Sequence, residues 1–264
     1  MNLKKKYIWI TGASSGIGKE LAIQLAQKGA KIALTSRTED KLTAVLNELD
    51  GEGHKVFVCD LMQTDSIATV TQEVMKWSNM HLDILINNAG RSLRALIKDI
   101  TVEVDREIME IDYFAPIILS KKILPFMVDK KEGMIVNISS VAGKMGTPKR
   151  SSYNGAKHAI IGFMDCVRAE YAQDNINVLN IIPGSIRTNI SINAASGDGS
   201  KYNTMDPAIV KGLDVSYTVK KIISAIEKEK NEVVIANFKE TLATYVKRFF
   251  PELLFKLMSK METT

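Results

Sequence analysis

The feature that most constrains the fold is a regular alternation of short apolar runs with longer helix-like stretches. Residues 7–10 are apolar throughout, which is typical of a strand buried on both faces of a parallel sheet. Similar runs recur at residues 31–35, 56–59, 82–86, 133–138, 177–182 and 232–235. Strands that alternate with helices predict an α/β fold with one doubly wound parallel sheet of about seven strands and helices on both faces.

Composition limits the class of protein. The 264 residues are 45% hydrophobic and 25% charged, and no run approaches the roughly 18 apolar residues of a membrane span. Two cysteines, Cys59 and Cys166, and an N-terminus without an apolar signal region predict a cytoplasmic protein without a disulfide framework. The three histidines lack metal-ligand spacing, so we expect no metal site. A scattered net charge of +5 predicts no nucleic-acid partner.

The C-terminal residues 241–264 differ from the rest as an apolar and basic extension. Bulky apolar residues recur there at near-helical spacing: Leu242, Tyr245, Val246, Phe249, Phe250, Leu253, Leu254 and Leu257. Basic residues lie between them: Lys247, Arg248, Lys256 and Lys260. Three interpretations are open: helices packed on the body or on a partner subunit, helices on a membrane surface, or a lid over a long-chain substrate.

A glycine-rich loop, Thr11-Gly12-Ala13-Ser14-Ser15-Gly16-Ile17-Gly18, joins the first strand to the first helix. Glycines there let the backbone approach a pyrophosphate, which the free N–H groups and dipole of the helix stabilise. The spacing is neither the usual dinucleotide fingerprint nor a Walker loop, and the alternative is a turn without a ligand. We expect the cofactor contacts of this loop to come from Gly12, Ser14, Ser15, Gly16, Ile17 and Gly18.

The end of the second strand predicts the type of cofactor. A site for NAD usually has an acidic residue there, whereas an arginine accommodates the 2′-phosphate of NADP. This chain has Ser36 and Arg37, and its first acids, Glu39 and Asp40, fall in the next helix. The sequence therefore favours NADP(H) over NAD(H). The alternative is that Arg37 is only a solvated residue at the start of a helix.

Tyr153 and Lys157 are four residues apart in a helix-like segment, so their side chains lie on one face, one turn apart. The ammonium can act on the phenol, whose ordinary pKa of about 10 is too high for proton transfer at neutral pH. Ser140, after an apolar run, could bring a hydroxyl to the same place. Such a pair is common on ordinary helices, and its meaning depends on the other motifs.

With Asn88-Ala89-Gly90 and Pro183-Gly184 in order as well, residues 6–236 resemble the short-chain dehydrogenase/reductase family. Residues 152–158 and 183–191 resemble its subgroup of dehydrogenase/reductase member 7B. The resemblance implies a Rossmann-type domain over residues 1–240 with a substrate loop at about 185–214. It also implies hydride transfer between a nicotinamide and a carbonyl or alcohol carbon. The long predicted helices at 102–126 and 152–173 resemble those that form homodimers and homotetramers in the family.

The same resemblance implies roles for individual residues. Tyr153 would be the general acid, Lys157 would lower its pKa and bind the ribose, and Ser140 would hold the substrate oxygen. Asp60 and Leu61 would line the adenine pocket. The floor beneath the cofactor would be formed by Asn88, Ala89 and Gly90. The border of the nicotinamide would be formed by Pro183, Gly184, Ile186 and Thr188.

One catalytic position departs from the family pattern. Asp112 stands where the family usually has an asparagine whose backbone carbonyl holds a water beside the lysine. Asp112 keeps that carbonyl for a proton relay, but an ionised carboxylate there would add a negative charge near the site. The relay therefore stays plausible, and its pH dependence is open.

Two functions are compatible with these motifs. The first is a cytoplasmic NADP(H)-dependent ketone or aldehyde reductase, for which the subgroup resemblance indicates a lipid-like substrate such as an acyl dihydroxyacetone phosphate. The second is a catalytically idle NADP(H)-binding sensor or scaffold, recruited to a partner or membrane through its C-terminal tail. Ser140, Tyr153 and Lys157 favour the reductase, and only Asp112 favours the sensor.

Overall fold

A computed structural model of the chain describes residues 1–260. Its parallel strands form one seven-stranded sheet in the order β3-β2-β1-β4-β5-β6-β7. In chain order they are β1 Tyr7–Thr11, β2 Lys31–Ser36, β3 Lys55–Val58, β4 Ile84–Asn87, β5 Gly133–Ile138, β6 Ile176–Pro183 and β7 Glu232–Ile235. The predicted strands and the doubly wound α/β fold are therefore confirmed, with small differences at the strand ends.

Helices cover both faces of the sheet and enclose two apolar cores. They are α1 Gly16–Gln27, α2 Glu39–Leu46, α3 Thr64–Trp77, α4 Val102–Met109, α5 Ala115–Lys130, α6 Ser151–Glu170, α7 Pro207–Val210, α8 Val215–Glu227, α9 Phe238–Phe249 and α10 Pro251–Met258. Ile8 and Ile10 belong to the core beneath α1, α2 and α8. Trp9, between them, belongs to the core beneath α3, α5 and α6. This alternation explains why consecutive residues at the centre of β1 are all apolar.

The long helix predicted over residues 102–126 is interrupted in the structure. After α4, one π-helical turn spans Glu110–Phe114, and α5 then continues to Lys130. Pro116 gives a physical reason, because it has no N–H to donate to the carbonyl of Asp112 four residues earlier. The irregular turn lies just before the proline, and it contains Asp112, whose exposure is only 1%.

The topology places the ends of the strands where a ligand can bind. The carboxyl ends of parallel strands meet at one edge of the sheet, and β1 pairs with both β2 and β4 at the point where the strand order reverses. The glycine loop follows β1, and Asn88 follows β4 at this edge. Ser139 and Ser140 follow β5 there as well. Motifs that are distant in sequence are thereby brought to one crevice.

The last two helices are only loosely packed on the body. Asn237 begins α9 with a capping box, in which its side chain accepts from the N–H of Glu240 and Glu240 reaches back to its backbone. No residue of α9 is buried, and Leu254 is the buried residue of α10. The predicted extension runs to residue 264, and its residues 261–264 lie outside the described part. Between residues 1 and 260, no helix combines the length and the apolarity needed to cross a membrane.

Candidate active site

A cavity of about 500 Å³ opens at the carboxyl ends of the strands. Its lining includes the predicted site residues with one exception, Gly18. These lining residues are Gly12, Ser14, Ser15, Gly16, Ile17, Ser36, Arg37, Asp60, Leu61, Asn88, Ala89, Gly90, Asp112, Ser140, Tyr153, Lys157, Pro183, Gly184, Ile186 and Thr188. The fold therefore brings both groups of predicted residues, cofactor-binding and catalytic, around one space.

The turn between β1 and α1 requires glycine because the backbone is crowded there. Gly12 has a φ of +65°, and a Cβ on it would lie 2.8 Å from the Cα of Ala89. A Cβ on Gly18 would collide with the carbonyl oxygen of Gly12. Asn88 closes the arrangement by donating from Nδ2 to the carbonyl of Thr11 at 2.9 Å. Gly18 thus lets α1 pack against the loop, which explains its place behind the cavity wall.

The glycine loop and the end of β2 offer two places for a negatively charged group. Ser15 precedes α1 but makes no side-chain capping bond, so the first N–H groups of the helix remain available to an anion. The first turn of α1 contains no acidic side chain. At the end of β2, Arg37 is exposed and forms no ion pair within residues 1–260. Both features suit a negatively charged group that enters the cavity.

Tyr153 and Lys157 project from α6 into the buried end of the cavity. Their exposures are 8% and 5%, and Lys157 Nζ lies 5.7 Å from the centre of the Tyr153 ring. Ser140 Oγ accepts a hydrogen bond from the Ala142 N–H at 3.1 Å, which leaves its own proton free to donate. The hydroxyl of Ser139 instead donates to the carbonyl of Lys157 at 3.1 Å. Ser139 therefore fixes α6 against the strand end.

Lys157 and Asp112 form a buried ion pair that the sequence analysis did not predict. Lys157 Nζ lies 2.8 Å from Asp112 Oδ1 and donates to the carbonyl of Ile138 at 3.3 Å. The other oxygen, Asp112 Oδ2, accepts from the Arg91 N–H at 3.2 Å. Gly90 makes room for this carboxylate, because a Cβ on it would collide with Oδ1. Asp112 thus contacts the lysine through its side chain.

The electrostatics of this pair favour a charged lysine. Burial is the largest single effect and would lower the pKa of Lys157, but the charges of Asp112 and Tyr153 and the hydrogen bond to Asp112 together outweigh burial and raise that pKa. Burial raises the pKa of Asp112, against the opposing attraction of Lys157. The buried carboxyl of Asp112 therefore helps to keep Lys157 in its charged form beside Tyr153. In the sequence, the feature that could have indicated this ion pair was an acidic residue, Asp112, at the position where the family usually has an asparagine.

Sequence reasoning missed several residues that line the cavity, among them the charged residues Glu240, Arg94 and Arg150. Glu240, from α9, accepts hydrogen bonds from the Ser185 N–H at 2.9 Å and the Ser185 hydroxyl at 2.6 Å. Its signal was the Asn237-x-x-Glu240 capping box. Arg94 and Arg150 come from the loop after β4 and the start of α6. No sequence pattern indicated these two arginines, because only the fold brings them together.

The arrangement is suited to proton transfer at a carbonyl oxygen. A phenol, an ammonium and a hydroxyl with a free proton are placed in one largely buried region, beside the glycine-rich loop. In the described part of the chain, no group of three or more His, Cys, Asp or Glu side chains could hold a metal ion.

The known proteins and the family model that match this chain agree with one another in their descriptions. The family described as short chain dehydrogenase matches residues 6–198. Dehydrogenase/reductase SDR family member 7B of Mus musculus is 40% identical over 263 residues, which cover 97% of this chain and 81% of that protein. The protein of the same name from Danio rerio is 41% identical, with 98% of this chain and 86% of that protein covered.

Solved structures agree on the fold. A short chain dehydrogenase/reductase from Burkholderia phymatum in complex with NAD has a TM-score of 0.83 at 18% identity, with 96% of each chain covered; this likeness concerns the fold alone. A metagenomic short-chain oxidoreductase in complex with NADP has a TM-score of 0.70 at 25% identity, with 89% of this chain and 98% of that chain covered. Together with the family match over residues 6–198, these relatives show that the chain belongs to the short-chain dehydrogenase/reductase family of oxidoreductases, which bind nicotinamide cofactors and act on small molecules.

Proposed function

We propose that the protein is an NADP(H)-dependent reductase of ketones or aldehydes in the cytoplasm, which transfers hydride between the nicotinamide and a carbonyl or alcohol carbon. The observation that carries the proposal is the placement of Tyr153, Lys157 and Ser140 in the cavity that the glycine loop also lines. The cofactor supplies the hydride, and the protein supplies orientation and the proton.

The side chains divide the work of proton transfer. In the reducing direction, Tyr153 donates its phenolic proton to the carbonyl oxygen, and in alcohol oxidation its phenolate takes that proton back. The Lys157 ammonium stabilises the phenolate by its charge. Ser140 donates a hydrogen bond to the same substrate oxygen. Asp112, at 2.8 Å from Lys157 Nζ, keeps the lysine protonated and in place.

The cofactor would lie along the carboxyl ends of β1 to β6. We propose that the glycine loop holds the pyrophosphate and that Lys157 also binds the nicotinamide ribose. The adenine pocket, the floor and the nicotinamide border would be formed by Asp60, Leu61, Asn88, Ala89, Gly90, Pro183, Gly184, Ile186 and Thr188. All of these residues line the cavity. Glu240 supports the nicotinamide border by accepting a hydrogen bond from the Ser185 N–H.

Ser36 and Arg37 are proposed to select NADP(H) over NAD(H). The exposed guanidinium forms no ion pair with residues 1–260, and it can fork onto the 2′-phosphate. We expect Arg37→Ala to lower the ratio of kcat/KM for NADPH over NADH by about 10- to 100-fold, from the loss of charged hydrogen bonds. Arg106→Ala, which removes an exposed arginine of α4, is the matched control. An unchanged ratio in Arg37→Ala would refute the assignment.

A lipid-like substrate, such as an acyl dihydroxyacetone phosphate, is proposed for this reductase. The choice comes from the subgroup resemblance, and the identity of about 40% with members 7B, which extends over nearly the whole chain, supports that resemblance. Aliphatic side chains outside the proposed cofactor contacts also line the cavity and could pack on an acyl chain: Ile111, Val141, Ile190 and Ile209. We further propose that residues 1–240 form the domain, with residues 185–214 as its substrate loop.

The two C-terminal helices are proposed to contact a membrane surface. Their large apolar side chains are exposed to an unusual degree, with Phe238 at 80%, Phe249 at 68% and Phe250 at 65%. Basic residues lie among them, and Lys247 Nζ is 4.5 Å from the centre of the Phe255 ring. Exposed aromatic rings beside lysines are typical of helices that lie in a bilayer interface. Assembly into a homodimer or homotetramer through α5 and α6 is a separate proposal that rests on the family resemblance.

Vesicle sedimentation tests the membrane proposal. We expect the protein to pellet with vesicles rich in anionic phospholipid, and Phe249→Ser/Phe250→Ser to reduce the bound fraction strongly, because two apolar anchors are lost. Val102→Ser replaces an apolar side chain of α4 that is 58% exposed, so it serves as the control. Equal pelleting of all three proteins would place the membrane contact elsewhere, and no pelleting would refute it.

A further inference from the structure

Two arginines that line the cavity, Arg94 and Arg150, have no part in the proposed proton transfer and form a charged cluster with Asp206. Asp206 Oδ2 lies 2.8 Å from Arg150 Nη2 and 3.3 Å from Arg94 Nη2. Arg94 belongs to the loop after β4, Arg150 directly precedes α6, and Asp206 directly precedes α7. Three segments distant in sequence therefore place two guanidinium groups around one carboxylate.

Arg94 is a buried cation with an unused donor. Its side chain is 7% exposed. Nη1 donates to Ser92 Oγ at 2.6 Å and to the carbonyl of Leu93 at 2.7 Å, whereas Nε has no hydrogen-bond partner in residues 1–260. A buried N–H without an acceptor is unfavourable, and native proteins rarely leave one. Because Arg94 lines the cavity, an acceptor that enters the cavity could fill this place.

The carboxylate of the cluster is already satisfied. Asp206 Oδ1 accepts from the Ala208 N–H at 2.9 Å, while Oδ2 contacts both arginines. Burial would raise the pKa of Asp206, but the Ala208 N–H and the charges of Arg150 and Arg94 outweigh it and lower the pKa, so this group remains an anion. Asp206 therefore has little capacity left to neutralise a second guanidinium.

The charges of the cluster do not balance. Asp206 offers one negative charge to the two arginines, and Arg150 makes its hydrogen bond in the described part of the chain through Nη2 alone. The neighbouring cation of the cavity, Arg91, lies 3.4 Å from Glu107. One carboxylate balances the charge of one guanidinium. The second guanidinium leaves one positive charge at the cavity wall without a counterpart.

We propose that Arg94 and Arg150 form a subsite for an oxyanion of the substrate, a phosphate or a carboxylate carried by the carbonyl compound. Arg150 lies three residues before Tyr153, about one helical turn away, so one molecule can place its anion at the arginines and its carbonyl oxygen at the phenol. The planar forks of arginine suit two oxygens of such a group. The inference rests on the proposed reductase and makes anionic carbonyl compounds its preferred substrates.

The first test compares matched ketones at saturating NADPH: a neutral hydroxyketone, its phosphate monoester and a keto acid of equal chain length. We expect wild type to prefer at least one anionic ketone, and Arg150→Gln to lose about 10- to 100-fold in kcat/KM for it, mainly through KM. The neutral ketone should be reduced as before. The anion with the larger loss identifies the oxyanion, phosphate or carboxylate. Arg94→Gln is the second variant, and Arg106→Gln is the control.

The second test measures binding without turnover. At saturating NADP⁺ and constant ionic strength, inorganic phosphate or acetate should raise the Tm of wild type but not that of Arg150→Gln. Such stabilisation without reduction of any ketone would support the subsite and refute the reductase. Reduction of ketones without preference for the anionic ones, unaltered in Arg150→Gln, would overturn the subsite and leave the reductase standing. Equal Tm increases in both proteins would also overturn it.

Discussion

Tyr153→Phe is expected to reduce carbonyl reduction by about 10²- to 10⁴-fold, because the variant has no proton to donate to the substrate oxygen. The loss should appear in kcat, with the affinity for NADPH close to that of wild type. The ring packs at 8% exposure in α6, and phenylalanine fills the same volume, so the fold should be retained. Single-turnover measurement of NADPH oxidation would separate this chemical step from product release.

Tyr171→Phe is the matched control, because Tyr171 lies just beyond α6 and outside the cavity lining. It should reduce the same substrate at the wild-type rate. If Tyr153→Phe retained wild-type kcat with an intact fold, another group would be the proton donor, and the assignment of Tyr153 would be wrong.

Lys157→Met should damage both activity and stability, for two different reasons. Activity falls because the phenolate of Tyr153 loses its neighbouring positive charge. Stability falls because Asp112 remains buried without its cation, and breaking a buried pair in this way costs about 3–5 kcal/mol. The carboxyl of Asp112, with its pKa already raised by burial, should be raised further. The contribution of Asp112 to the stability of the variant should therefore be most favourable below the unfolded pKa of an aspartate, where the buried carboxyl is neutral, and should be lost as the pH rises through its raised folded pKa.

The double variant Lys157→Met/Asp112→Asn separates these two effects. Asparagine removes the unpaired charge and keeps an acceptor for the Arg91 N–H. We expect urea denaturation to show most of the lost stability recovered and its new pH dependence removed, while reduction stays as slow as in the single variant. Recovery of activity together with stability would show that Lys157 acts only on packing.

The fold was predictable because its strands are read directly from apolar runs. Residues such as Ile8 and Trp9 face opposite cores, so the central positions 8–10 of β1 are all apolar and the strand stands out from its surroundings. The break before α5 was harder to predict. Pro116 indicates that the helix is irregular there, but the form of the irregularity, a π-helical turn, depends on local packing. Glycine positions such as Gly12 were predictable because the crowded turn admits no other residue.

The candidate site was predictable where its residues follow a spacing rule. Tyr153 and Lys157 share a helix face, and the turn of four residues between them is visible in the sequence. The ion pair of Lys157 with Asp112 joins α6 to an irregular turn, and no local pattern records that contact. The contacts of Arg94 and Arg150 were still harder to predict, because their shared partner Asp206 is more than fifty residues away in sequence.

The central claim is that this cavity reduces carbonyl compounds with NADPH, and a substrate screen tests it most directly. NADPH oxidation should be followed with a panel of ketones and aldehydes that includes long-chain and phosphorylated members, beside a binding measurement for NADPH. We predict tight NADPH binding, turnover of at least one carbonyl compound, and loss of that turnover in Tyr153→Phe. Tight binding of NADPH with no turnover of any carbonyl compound would contradict the reductase and favour an idle cofactor-binding sensor or scaffold.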